Sequence, residues 1–275
     1  MLHFVPEGTP LFAIAALLAG VNFVRYALWA GIAFAVFHFL LRGVLAARKI
    51  ATRPTPRGQH RRDFGYSALS MAVFGSMAFV VFLLKATGLS QMYMDIETHG
   101  WTWFWLSIPV MLVIHDAWFY WTHRLMHHRR LFKVMHKVHH LSHDPTPWTA
   151  YAFHPLEAVV EAAIAPVLIV LLPVHPLALF TFATIQMTYN VLGHLGYELY
   201  PRWFMKTPLK VVLNTTSHHH QHHQKTNWNY GLYFNWWDRL MGTNHPDYEA
   251  AFEENVGPAP ERAPSGERLE GVLAS

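Results

Sequence analysis

The residues best equipped for chemistry in this chain are its histidines. There are 21 of them in 275 residues. Nine fall between His115 and His154, and a second knot, His218-His219-His220-Gln221-His222-His223, lies downstream. Imidazole is the commonest metal-ligating side chain, and residues three or four apart on a helix share a face where two rings can reach one ion. His123 and His127 have that spacing; so do His136 with His139 and His140, and His219 with His222 and His223. A single such pair is ordinary surface or core filler, but three clusters in one chain indicate a polyhistidine metal site. Spacing leaves His218 open as a substitute for His219. Structural zinc closes with four ligands, so eight suitably spaced imidazoles are shared most economically between two ions. Ligand type alone does not name the metal, since imidazole suits zinc, copper, iron and nickel.

Neutral imidazoles do not cancel the charge of the ions, so carboxylates are expected to orient and polarise them from behind. Asp116 lies seven residues before His123, on the same helical face. Asp144, Glu157 and Asp238 are the other acids placed for this role. His3, His38, His60, His99, His175 and His245 are isolated and read as non-ligating. His115, His128, His143 and His220 sit off the three-and-four spacing and read as supporting or surface residues, while His154 stays undecided.

The elements that must position these histidines are apolar. Hydrophobic residues make up 52% of the chain and charged residues only 14%, well below the roughly 25% usual for a soluble domain. Mean hydropathy is a modest +0.15, because the histidines and a basic loop offset the apolar runs. The absence of cysteine excludes disulfides, thiolate-bound zinc and iron–sulfur clusters. A pI near 9.3 would suit nucleic acid, but the positive charge is concentrated between apolar runs, the pattern of a membrane topology signal.

Pro10 to Leu41 is almost continuously apolar and long enough to span a bilayer, too long for a signal peptide. Arg42 to Asp63 carries seven arginines and lysines against one acid, which predicts a cytoplasmic loop and also suits an acidic electron-transfer partner. Phe64 to Ala86 returns across the bilayer, Gly88 to Gly100 forms an acidic loop, and Trp101 to Trp121 crosses again, with aromatic residues at both ends. Leu156 to Leu172 and Leu177 to Leu195 are joined by Pro173-Val174-His175-Pro176, a turn between antiparallel helices. This threading brings all the histidine clusters to one side, with the N-terminus on the other. The mixed segment Arg202–Leu213 reads as interfacial, and the polar, proline-rich residues after Tyr248 as a mobile tail. The expected fold is therefore all-α: a membrane helical bundle of about four to five apolar segments with a cytosolic histidine-rich di-metal cap. Three units are expected: membrane helices with the basic loop at 1–100, a catalytic domain at 101–248 and a tail at 249–275.

The order His-x3-His, His-x2-His-His, a lone histidine after an apolar hairpin, then His-x2-His-His, Asn-Tyr-Gly and Trp-Asp-Arg-Leu resembles the fatty acid hydroxylase superfamily. The resemblance runs from about Asp116 to Thr243 and includes Asp116-Ala-Trp-Phe119-Tyr120-Trp-Thr-His123-Arg124, His154-Pro155-Leu156-Glu157 and Trp237-Asp238-Arg239-Leu240. It implies a di-iron centre that uses O2, on the cytosolic face of a membrane, the inner or plasma membrane in a bacterium. The implied ligands are His123, His127, His136, His139, His140, His194, His219, His222 and His223, with Asp116, Glu157 and Asp238 as supporting acids. Some branches carry another histidine four residues before the lone one, where this chain has Asn190. The implied activity is hydroxylation or desaturation of a lipid, such as a sterol, fatty acid or sphingolipid. No flavin, haem or iron–sulfur motif is present, so electrons would come from a separate ferredoxin- or cytochrome-type donor with its reductase. The competing reading is a histidine-rich metal transporter, whose ligands should lie mid-span along a pathway rather than at span ends. A soluble zinc hydrolase conflicts with the apolar spans and lacks a His-Glu-x-x-His helix.

Overall fold

The computed structural model describes residues 8–51 and 53–257; His3 and the proline-rich residues of the expected tail, from Pro258 onward, lie outside them. The described residues are helical, with one isolated antiparallel bridge between Lys49 and Tyr197. Three helices are long and apolar enough to cross a membrane: α1 (Leu11–Phe34, continued as a π-helical turn to Leu40), α2 (Gln59–Ala86) and α3 (Gly100–Met126). At 1.5 Å per residue each exceeds the roughly 30 Å of a hydrocarbon core. Their outward faces stay apolar, as lipid requires, with Phe12 77% and Trp105 61% exposed.

α1 and α2 pack backbone to backbone. A Cβ on Gly75 would stand 2.5 Å from the Ala19 Cβ and 2.7 Å from the Ala15 carbonyl oxygen. Small residues give helices in lipid this close approach, where burial from water contributes no drive. The pair shares a core with the later chain: Tyr26, Ala30 and Met71 pack with Tyr151, Phe153, Ala158, Met187 and Val191. The helices of the expected 1–100 segment thus share a packed interior with residues beyond 101.

α6 (Pro155–Ala162), α7 (Ile164–Leu171) and α8 (Pro176–Gly193) form the predicted hairpin. Both arms start alike: His154 and His175 are N-caps whose Nδ1 atoms accept from the Leu156 and Leu177 backbone N–H groups, each with proline at the first helical position. His154, undecided from sequence, is therefore a cap. The hairpin turn docks on the acidic loop, where Tyr93 N donates to the Val174 carbonyl at 3.3 Å, and on the start of α3, where Trp103 Nε1 donates to the Pro173 carbonyl at 2.7 Å. A second core joins α3, α7 and α8 through Ile108, Met111, Leu168, Val174 and Phe182.

The opposite end of the bundle holds the basic loop and the histidines together. Ile50 N donates to Gly196 O and Glu198 N to Arg48 O, each at 2.9 Å, and Arg48 reaches the Glu198 and Tyr200 carbonyls. That basic loop ends sooner than expected, because Arg61, Arg62 and Asp63 already belong to α2. Asp63 is fully buried and accepts from Arg62, Ser142 and Thr149, which pins α2 to the chain just after His140. Arg202–Lys206 is a 3-10 turn, with α9 (Leu209–Val212) next in the chain. After α10 (Thr216–Gln224) and α11 (Trp236–Leu240), the first residues of the expected 249–275 tail belong to a helix, α12 (Tyr248–Asn255). Tyr248, Phe252 and Val256 recur at helical spacing and bury themselves against Phe204 and Met205, which outweighs the polar composition around them.

Candidate metal centre

Two short helices precede the hairpin: α4 (Phe132–Met135) and α5 (Lys137–His140). With the end of α3 they bring two histidine clusters under α10. That helix, Thr-Ser-His-His-His-Gln-His-His-Gln, has no apolar side chain, yet Thr216 to His223 are all buried. Such burial is tolerable only if each polar group finds a partner. Its N-terminus is served by the Thr215 hydroxyl, which accepts from His218 N, and by the Glu198 carboxylate, which accepts from Ser217 N. His220 bonds Asp144 at 3.1 Å, and Gln221 meets His245 and Asn229. His219, His222 and His223 turn instead towards other histidines.

Those contacts resolve into two groups. His123, His127, His136, His140 and His222 form one, and His139, His194, His219 and His223 the other; within each, the ligand-capable atoms lie within 4.8 Å of one another. All nine expected histidines are therefore brought together, but not by cluster. The pairs four apart, His123/His127, His136/His140 and His219/His223, stay in one group, whereas His139 and His222 cross to the other. His218 joins neither and stands 3.4 Å from Asp238. Of the remaining histidines, His115 bonds the Tyr233 hydroxyl and His128 accepts from Arg130 N, while His143 is exposed.

The hydrogen bonds on the far side of the rings test whether the groups suit a cation. His123 Nδ1 lies 2.8 Å from the Tyr230 carbonyl, His222 Nδ1 2.6 Å from the Trp228 carbonyl, and His136 Nδ1 2.7 Å from Glu157 Oε1. In the other group, His194 Nδ1 faces the Asn190 carbonyl at 2.7 Å. Carbonyl and carboxylate oxygens only accept, so each of these rings carries its proton on Nδ1 and a bare lone pair on Nε2. Yet His123 Nε2 and His136 Nε2 are 3.0 Å apart, two lone pairs facing each other. A metal ion between them satisfies both, and the residues present fit one. His127 adds two buried ring nitrogens without any hydrogen bond.

Burial first, then the neighbouring rings, holds His136, His139, His140, His219, His222 and His223 well below the ordinary imidazole range. The same causes push His127 down to about 2. Neutral rings are the form that ligates.

The four acids take different parts. Glu157, at the start of α6, is the one whose carboxylate touches a grouped histidine directly. Asp116 does not orient an imidazole as its position on α3 suggested: its Oδ1 accepts from Tyr233 N and Phe234 N. Asp238 accepts from Tyr230 N at 2.8 Å, Gly231 N at 2.7 Å and the Thr243 hydroxyl at 2.8 Å. Both acids thus brace the 229–235 loop, and that loop presents the Tyr230 carbonyl to His123. Asp144 serves His220 and Gln224, outside either group. The loop needs its glycine, since a Cβ on Gly231 would meet the Phe234 carbonyl oxygen at 2.7 Å. Sequence reasoning missed the carbonyls of Trp228, Tyr230 and Asn190, because a backbone acceptor leaves no mark in the residue types.

Asn190 fills the position where some branches of the resembled family place a histidine. Its Nδ2 donates to the Ala150 carbonyl at 2.6 Å, and the group beside it is the one with four imidazoles. A small cavity at the junction of the two groups is lined by His123 and His136 from one, His139, His194 and His219 from the other, and by Phe119, Phe153, Glu157, Glu161 and Asn190. Glu161 also escaped the sequence reading, although a second acid one helical turn beyond Glu157 in an apolar run was a visible signal.

Three membrane-length helices and two buried histidine groups define a membrane protein with a polyhistidine metal site at one end of its bundle. The profile of the fatty acid hydroxylase family matches residues 108–243, which hold both groups, and the chain belongs to that family. It is 32% identical to the Delta(7)-sterol 5(6)-desaturase ERG3B of Gibberella zeae over 68% of this chain and 57% of that protein. It is 30% identical to the lathosterol oxidase of Rattus norvegicus over 69% of this chain and 63% of that protein. A shorter stretch is 37% identical to the methylsterol monooxygenase 1 of the same rat, over 48% of this chain and 44% of that protein. The chain therefore spans about three-fifths of the length of the first two relatives. No solved structure matches it.

Proposed function

We propose that this protein is a membrane-bound, O2-dependent di-iron oxidoreductase that hydroxylates or desaturates a lipid C–H bond. The observation that carries this reading is the pair of buried histidine groups, in one of which the Nε2 atoms of His123 and His136 face each other at 3.0 Å. His123, His127, His136, His140 and His222 would hold one iron, and His139, His194, His219 and His223 the other. When bound, the two ions would supply the reductive activation of O2 that attack on an unactivated C–H bond requires.

The protein's own part is to orient and to exclude. Glu157 and the Tyr230, Trp228 and Asn190 carbonyls hold the Nδ1 protons of His136, His123, His222 and His194, and so keep each Nε2 lone pair aimed inward. Phe119 and Phe153 wall the junction cavity with apolar surface, which keeps water from the reacting carbon. The substrate would come from the bilayer, and the sterols in the relatives' names make a sterol or similar lipid the first class to assay. Two electrons per turnover would come from a separate ferredoxin- or cytochrome-type donor, since the cysteine-free chain can hold no thiolate-bound cluster of its own. By the positive-inside rule the histidine end, which carries the basic loop, would face the cytoplasm.

The test replaces His139 and His140 with alanine, one residue from each group. Lipids from cells with and without the intact gene, compared by mass spectrometry, should differ by 16 mass units for hydroxylation or 2 for desaturation, on the order of one oxygen or two hydrogens. The double variant should abolish the difference. Oxygen-dependent lipid turnover unchanged by it would refute the proposal, and metal uptake into vesicles without need of oxygen would favour transport.

A further inference from the structure

Glu161 is a buried acid without a hydrogen-bonding partner. It is 8% exposed, and among the described residues neither a hydrogen bond nor an ion pair reaches its carboxyl group. It lines the junction cavity together with residues of both histidine groups. It lies four residues after Glu157 on α6, so the two acids share a face about 6 Å apart along the axis, just over one helical turn. Glu157 spends one oxygen on His136, while Glu161 spends neither. A carboxyl group left in this state among Phe119, Phe153 and apolar helix faces costs free energy unless something outside the chain completes it.

We propose that Glu161 is a specificity-determining residue that accepts a hydrogen bond from a hydroxyl group of the lipid substrate. This rests on the reading of the site as a lipid oxygenase. The ligand class is thus a lipid alcohol whose hydroxyl lies about one helical turn from the histidine level, close to the carbon that reacts. An ammonium group would also bond a carboxylate, but the two cations proposed beside the cavity would repel it, whereas a neutral hydroxyl meets no such penalty. The single polar contact fixes the register of the lipid that bears that hydroxyl. A site built around one hydroxyl discriminates sharply against the analogue that lacks it, because the protein group is then left unpaired.

The full-length protein is purified in its iron-loaded form, and the lipids that co-purify are extracted and identified by mass spectrometry. The same is done for Glu161→Gln, which keeps an acceptor oxygen, and for Glu161→Leu, which keeps the bulk and removes both oxygens. A lipid bearing a free hydroxyl should be enriched on the unaltered protein, retained within a few-fold by the glutamine variant and depleted at least about tenfold by the leucine variant. Iron content and melting temperature should stay constant across the three. Enrichment of a lipid without a hydroxyl, of an amine, or of no lipid at all overturns the proposal. So does equal occupancy in the leucine variant. A lipid without a hydroxyl on the unaltered protein overturns the proposal even if that variant misfolds, and the glutamine variant then carries the comparison. If the alcohol binds as expected but is not oxidised with O2 and a reductant, the oxygenase reading fails while the binding site stands.

Discussion

The smallest scale at which this protein explains itself is the proton on a ring nitrogen. Four imidazoles give their Nδ1 proton to an oxygen, and that choice strips Nε2 for a metal. Glu157 differs from the three carbonyls in being able to carry charge. Burial and the neighbouring Glu161 push its carboxyl well above the ordinary range, and bound cations would favour the carboxylate, which raises the basicity of His136. Glu157→Gln keeps a hydrogen bond but removes the charge; iron affinity, read by chelator competition, should fall about 10- to 100-fold while the chain stays folded. The buried rings also link stability to pH. An imidazole whose folded-state value is depressed stabilises the fold above its unfolded value, about 6.5, and loses that contribution as the folded chain is forced to take up protons. For the metal-free protein, melting temperature should therefore hold above pH 6.5 and decline progressively below it, towards the value of about 2 that burial gives His127. A melting temperature flat from pH 7 to 4 would contradict this.

At the scale of elements, the site is an end of α3, two short helices, an end of α8 and all of α10, held by the 229–235 loop. Spacing made the clusters legible but did not divide their histidines between the two groups. Four residues advance a helix about 40° past a full turn and three fall about 60° short, so neighbours in a cluster diverge. That is why His139 and His222 leave His136 and His219 and complete the opposite group. The Asn-Tyr-Gly and Trp-Asp-Arg-Leu motifs were visible in the sequence, whereas their purpose was not: Asp238 clamps the backbone whose carbonyl orients His123. Gly231→Ala should push the loop away from His123, a ring of the five-histidine group alone. Bound iron per chain should then drop from two towards one, with helix content by circular dichroism unchanged. In the membrane, Gly75→Leu should force α1 from α2 and destabilise the protein by about 1–3 kcal/mol, seen as a lower melting temperature.

Across the whole molecule, the histidine groups and the basic loop share one end, and the acidic loop and hairpin turn share the other. The absence of cysteine makes this arrangement easy to check. Single cysteines at Arg57 and Lys137 should react with an impermeant maleimide only from the cytoplasmic face, and one at Thr98 only from the opposite face. Labelling of Arg57→Cys and Lys137→Cys from different sides would break the threading.

What the sequence determined by itself was composition, period and spacing: apolar runs of bilayer length, the basic loop between the first two, and histidines at helical intervals. These are local properties, fixed by a residue's type and its near neighbours along the chain. The tertiary structure alone decided the division into five and four, the bracing roles of Asp116 and Asp238, the capping role of His154 and the unpartnered state of Glu161. Each of these depends on which backbone oxygen or ring arrives from a distant part of the chain, and hydrogen-bond direction has no signature in residue spacing. The helix α10 shows the difference most simply. Its composition reads as solvated surface, and only the packing of α3, α5 and α8 around it turns that polar helix into the centre of the protein.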